Sequence, residues 1–185
     1  MTVDAYCLPE TAEFGGESYG LRTDFRTVLK ILQYLDSEEY PTGFRWQVAL
    51  RVFYDRPVPP QWQQAAVEFL CRFLCGGSEP EKAGPKRRDW TLDAPAIIAG
   101  VNQAAGMEVR SLEKLHWWTF LSFFHSMGPG QLSLLVGIRE KLRRGEALSP
   151  AEQEFYRCNR SWVRMEKPDP EREKVEKWLA QQAVP

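Results

Sequence analysis

Histidine is scarce in this chain: 185 residues carry only His116 and His125. Histidine is the commonest metal ligand and the side chain that titrates nearest neutrality, so two residues leave little for a histidine-based centre. Cysteine is equally sparse. Cys7, Cys71, Cys75 and Cys158 contain no Cys-x-x-Cys pair. Cys71 and Cys75 fall four apart on an expected helix and so share a face, but a zinc site needs two further ligands converging there. They read as reduced side chains at ordinary helix positions. No apolar run approaches the roughly 20 residues that cross a bilayer. Neither sign of charge dominates, with 24 Lys and Arg against 25 Asp and Glu, so no global field draws the chain to nucleic acid or an anionic membrane. Met1 to Cys7 has neither the basic nor the apolar region of a signal peptide, and a cytoplasmic protein is expected. Gly15-Gly16 and Gly128-Pro129-Gly130 lack the spacing of a phosphate-binding fingerprint, and no His-Glu-x-x-His, Gly-x-Ser-x-Gly or EF-hand pattern occurs.

Apolar side chains, by contrast, are plentiful. They make up 43% of the sequence, and aromatics 12%, which is ample for a core and argues against disorder. The densest stretch is Leu112 to Phe124, with Trp117, Trp118, Phe120, Phe123 and Phe124. Placed on a helical wheel its apolar residues fall on every side. A helix that is apolar all round is buried, so this stretch, capped by Ser111, is expected as the central element of a helical core.

The remaining elements follow from breakers and periodicity. Thr11 to Phe14, Gly15-Gly16 and Glu17 to Leu21 predict a β-hairpin, since paired glycines accept the positive φ of a tight turn. Phe14 and Tyr19 should pack on the helices, because a lone hairpin is marginal in water. Thr23 or Asp24 caps a first helix with Phe25, Val28 and Ile31 on its apolar arc. A second helix runs from about Gly43 to Tyr54, with Phe44, Val48 and Phe53 among its apolar positions. A third starts after Pro60 with Trp62 in its stripe and stops at Gly76 and Gly77. Asp93, with Pro95 in the first turn, opens a fourth that ends at Gly106. A sixth covers Gln131 to Arg144. Ser149-Pro150-Ala151-Glu152 is a capping box opening a seventh, anchored by Phe155, Tyr156, Trp162 and Val163.

The expected fold is therefore mainly α: a single domain of about seven helices with an N-terminal hairpin (1–22), a helical core (23–166) and a charged helical tail (167–185). An exposed linker is expected near 76–89. In the tail, Val175, Trp178 and Leu179 form an apolar patch at helical spacing. They are the candidate partner-binding residues. Such a patch docks in a partner's groove, folds back on its own domain, or caps a neighbouring copy. His116 lacks a Ser, Cys or carboxylate at a recognisable motif spacing, and Glu113, three residues earlier, would order a helix rather than perform catalysis. Lys86-Arg87-Arg88 beside Trp90 resembles a base-stacking pair, yet three charges are few for appreciable phosphate binding. Arg139, Lys141, Arg143 and Arg144 read as a solvated helix end. No residue is assigned a catalytic, cofactor-binding or metal-binding role, and neither nucleic acid nor membrane is an expected partner.

Two blocks of sequence carry a resemblance. One is Leu8-Pro9-Glu10-Thr11 leading through Gly15-Gly16, Tyr19 and Leu21 to Thr23-Asp24-Phe25-Arg26. The other is Leu115-His116-Trp117-Trp118-x-Phe120, followed by Gly137-x-Arg139 and Glu154-Phe155-Tyr156. Together, over about residues 8 to 163, they resemble the "gene product fifteen" family of tailed phages and prophages of Gram-positive bacteria. The resemblance implies a tail assembly protein acting in the cytoplasm of the bacterial host. It further implies a non-enzymatic chaperone whose partner is the tape measure protein or another phage tail protein. The other readings kept open are a virion component that self-associates as a homo-oligomer, and a small enzyme or nucleic-acid binder. The resemblance supplies no ligand or catalytic residues and ends before the charged tail.

Overall fold

Gly15 and Gly16 adopt φ of +62° and +81°, the left-handed conformations that let two strands turn back on each other within two residues. The computed structural model describes residues 7–79 and 86–165. In it β1 (Thr11–Phe14) pairs antiparallel with β2 (Glu17–Gly20), and Ala12 lies opposite Tyr19. Ala12, Phe14 and Tyr19 are buried. Phe14 meets Tyr19 and Tyr54 with ring centroids 5.5 and 5.7 Å apart. The hairpin is thus held by aromatic packing on the helices rather than by its own four-residue ladder. The expected tail at 167–185, with Val175, Trp178 and Leu179, lies outside the described residues, as do positions 80–85 of the expected linker.

Asp24 rather than Thr23 caps α1 (Phe25–Leu35), its side chain accepting from the Arg26 backbone N–H at 3.0 Å. α1 buries Phe25, Val28 and Ile31 and packs along α2 (Thr42–Phe53), which in turn meets α3 (Gln63–Leu74). Trp62 belongs to a short 3₁₀ turn before α3, is 38% exposed, and lies beside Gly15. α4 (Ala94–Ala105) ends at left-handed Gly106 and packs on α5 (Trp117–His125) and α6 (Gln131–Arg144). The Ser149–Glu152 capping box opens α7 (Pro150–Cys158) as its sequence predicts. Among the described residues the architecture is mainly α, with eight helices and the one hairpin.

Three expectations need correction. The Trp-rich helix begins at Trp117, not after Ser111. Residues before it are drawn into an extended segment because Phe25 N–H donates to the Leu115 carbonyl and Trp117 N–H to the Thr23 carbonyl, at 2.9 and 2.8 Å. Leu112 and Leu115 are therefore outside the helix. α5 buries Trp117, Phe120, Leu121 and Phe124 but exposes Ser122 and His125, so it is amphipathic rather than apolar all round. The seventh helix breaks at Asn159, whose backbone leaves helical geometry at φ −127° and ψ 36°. A separate α8 (Arg160–Val163) follows.

The third correction concerns Asp93 and Arg139. Asp93 occupies the N-cap position of α4, but its carboxylate makes no capping bond to that helix. It is fully buried and accepts both terminal nitrogens of Arg139, at 2.6 and 2.9 Å, with Trp162 Nε1 at 2.8 Å. Arg139 completes its five donors on the carbonyls of Arg87, Trp162 and Val163. It is no solvated helix end: a buried guanidinium is tolerable only when every N–H has an acceptor and its charge a counter-ion. Asp93→Ala should therefore cost about 3–5 kcal/mol in urea unfolding, because it strands a buried charge. Adding Arg139→Met to that variant should recover part of the loss.

Candidate partner-binding surface

α2 has apolar residues on two faces. Ala49, Leu50 and Phe53 are buried. Phe44 lies nine residues before Phe53, which at 100° per residue sets it about 180° away. It is 48% exposed, so it is not one of the helix's core anchors. Tyr40, just ahead of Pro41, is 43% exposed. Its ring stacks on Tyr34 at 5.6 Å and approaches Phe44 at 5.7 Å. The corner between α1 and α2 is fixed by Arg45, which donates to the Leu35 carbonyl and to Thr42 Oγ1. Three aromatic rings thus line one surface strip, beside exposed Asp36, Glu38 and Glu39. Partly exposed Tyr34 with exposed Tyr40 and Phe44 is the candidate interaction surface. The signal was available in the half-turn offset of Phe44 from Phe53.

The two quoted sequence blocks, some 90 positions apart, meet directly. Besides the backbone pairing of Thr23 and Phe25 with Trp117 and Leu115, the Asp24 carboxylate accepts from Leu115 N–H at 3.1 Å. Arg26 pairs with Asp24 at 3.0 Å and reaches the Arg110 and Leu112 carbonyls. The Phe25 ring stacks on Phe120 at 4.8 Å. Glu10 accepts from Thr23 and Lys114, which fastens the hairpin strand to the same junction. These motif residues build the fold.

A family model described as Bacteriophage Gp15 protein matches residues 6–163. The chain belongs to that family. No curated protein and no solved structure matches it. The Gp15 match spans both blocks and ends at α8, so Val175, Trp178 and Leu179 fall beyond it.

Within this Gp15 chain the two basic clusters are engaged by the fold. Lys86 pairs with Asp36 and Asp89 at 2.9 and 2.8 Å. Arg88 lies over the rings of Trp90 and Phe124, and Trp90 packs on Trp117. Lys141 pairs with Glu152. Arg143 and then Arg144 hold Glu140 down to about 2. Burial, reinforced by Cys75 and Glu68, pushes the Cys71 thiol up, which leaves little thiolate. Among the described residues no group of three or more His, Cys, Asp or Glu is placed to hold a metal ion, and no helix is long and apolar enough to cross a membrane.

His116 is buried and caps α5: Nδ1 accepts from Trp118 N–H at 3.0 Å, and Nε2 lies 3.2 Å from the Pro9 carbonyl. Glu113 is outside the helix and exposed; the expected pairing of Glu113 with His116 along a helix face gives way to these two contacts. The cap needs the Nδ1 lone pair, so the ring must be neutral with its proton on Nε2. Burial pushes this imidazole below the usual histidine range, with the Pro9 hydrogen bond acting in the opposite sense. The unfolded chain then takes up a proton near about 6.5, before the folded one does. Stability from this group is complete above that value and is lost as pH falls through it. In urea unfolding from about pH 7.5 to about pH 5, the wild type should lose more stability than His116→Asn, which keeps a capping acceptor without titrating. Parallel losses would remove His116 as the cause.

Proposed function

We propose that this phage protein is a non-enzymatic tail assembly chaperone that binds the tape measure protein in the host cytoplasm through the Tyr34–Tyr40–Phe44 strip. Membership of the Gp15 family supports the phage context, and the exposed aromatic strip is the observation that carries the binding role. A tape measure is long and largely helical, and its apolar stripes need cover before the tail tube encloses them. Rigid aromatic side chains suit that task because they bury much area while losing few rotamers. Their presentation on a helix corner matches recognition of an amphipathic helix by its apolar face. Glu38 and Glu39 beside the strip favour client segments with basic flanks and disfavour acidic ones.

The test is co-expression with the tape measure encoded in the same tail gene cluster, followed by pull-down. The wild-type chain should keep the tape measure soluble and co-purify with it. Tyr40→Ala with Phe44→Asp should weaken capture about tenfold or more and move folding stability by only about 0.5 kcal/mol, as befits surface positions. An insoluble, uncaptured tape measure beside folded wild-type protein would end the chaperone reading. Detection of the chain in purified particles by mass spectrometry would then favour a virion component.

A further inference from the structure

A cavity of about 690 Å³ lies along α6, α7 and α8. Leu142, Val163 and Met165 supply its apolar lining, and Leu142 is 39% exposed. The ionisable lining is positive in sign. Arg139 is answered by buried Asp93, and Lys86 by Asp36 and Asp89. Arg87, Arg143 and Arg164 also line the cavity, and among the described lining residues Glu140 is the one carboxylate.

Glu140 is shared. Arg87 and Arg143 reach it at 3.6 and 2.7 Å, and Arg144 does so from outside the cavity at 2.8 Å. Arg143 and then Arg144 hold its carboxyl down to about 2, which reflects the positive local field. The Arg87 and Arg143 side chains are 59% and 48% exposed. Ion pairs that exposed hold weakly, so an incoming carboxylate competes for either guanidinium and accepts from it in bidentate fashion.

Sign and chemistry together select the occupant. These guanidinia are few beside the phosphate contacts that nucleic-acid affinity requires, and a sugar–phosphate backbone offers nothing to aliphatic Leu142, Val163 and Met165. A protein segment with Glu or Asp beside a large apolar side chain matches both parts of the lining.

We propose that this cavity docks an acidic, apolar segment of a partner protein, with carboxylates on Arg87 and Arg143 and a large apolar side chain against Leu142. The aromatic strip favours segments of the opposite charge, so the two surfaces take different segments. This assignment does not rest on the chaperone reading.

The probe is a fluorescein-labelled amphipathic peptide of about 18 residues, with Leu at i, i+3, i+4 and i+7 and Glu elsewhere. Titrated into the full chain and followed by anisotropy, it should bind saturably. It should also slow hydrogen exchange over 139–144 and 155–164 about tenfold. The same peptide with Lys for Glu should bind at least about tenfold more weakly. Arg87→Gln with Arg143→Gln should cost the acidic peptide about tenfold in affinity, while Tyr40→Ala with Phe44→Asp leaves it unchanged. Leu142→Gln, which keeps both arginines, should weaken it too, and decides the matter if the arginine variant melts below wild type. Absence of saturable binding, equal affinity for the Lys peptide, or binding that survives the arginine and Leu142 variants overturns the proposal. So does equal affinity for an acidic peptide with Ala for Leu. Tighter binding of duplex DNA would overturn it as well, assigning the surface to phosphate.

Discussion

The C-terminal half of this molecule depends on one buried charge. Arg139 projects from α6 into a site that leaves it only 7% exposed, and the cost of that burial is offset only by a complete set of acceptors. Those acceptors come from the carboxylate of Asp93 at the start of α4, the carbonyl of Arg87 ahead of it, and the carbonyls of Trp162 and Val163 in α8. Each must stand within hydrogen-bond reach of a rigid planar fork, so the relative placement of three helices is fixed together. The break at Asn159 fits this requirement, since it separates α8 from α7 just before the two carbonyls that Arg139 needs.

The N-terminal half is organised by a backbone junction instead. Extended residues on either side of Asp24 pair with those around His116, and the same pairing sets where α1 and α5 begin. Phe25 and Trp117, the first residues of those helices, both lie against Phe120. His116 acts here as a neutral cap. Residues that look chemically promising in isolation are thus consumed by architecture, and among the described residues the aromatic wealth of the chain divides into a large core share and a small exposed share at Tyr40, Phe44 and Trp62. That division leaves Tyr40 and Phe44 as exposed aromatic surface, on which the proposed binding role rests.

The hairpin, the breaks between helices, and the Ser149 and Asp24 caps were legible in the sequence because each rests on contacts within a few residues: a two-glycine turn, a proline, a side chain reaching its own helix end. The core faces of α1 and α3 were legible for the same local reason. Phe44 was readable in principle, since its offset from Phe53 is a matter of helical period alone.

What the sequence could not decide were the outcomes of competition between distant groups. Leu112 to His116 has helical composition, yet it is not helical, because Thr23 and Phe25 offer backbone partners to Trp117 and Leu115 across the fold. Asp93 has the position of a cap, yet Arg139, 46 residues away, takes its carboxylate. Periodicity and capping describe the interactions available to a segment by itself, so the sequence alone determined the type and approximate order of the elements. Burial, counter-ions and strand partners exist only once the chain has closed on itself. Only the tertiary structure could therefore decide where α5 begins, which arginine is internal, and which aromatics remain at the surface.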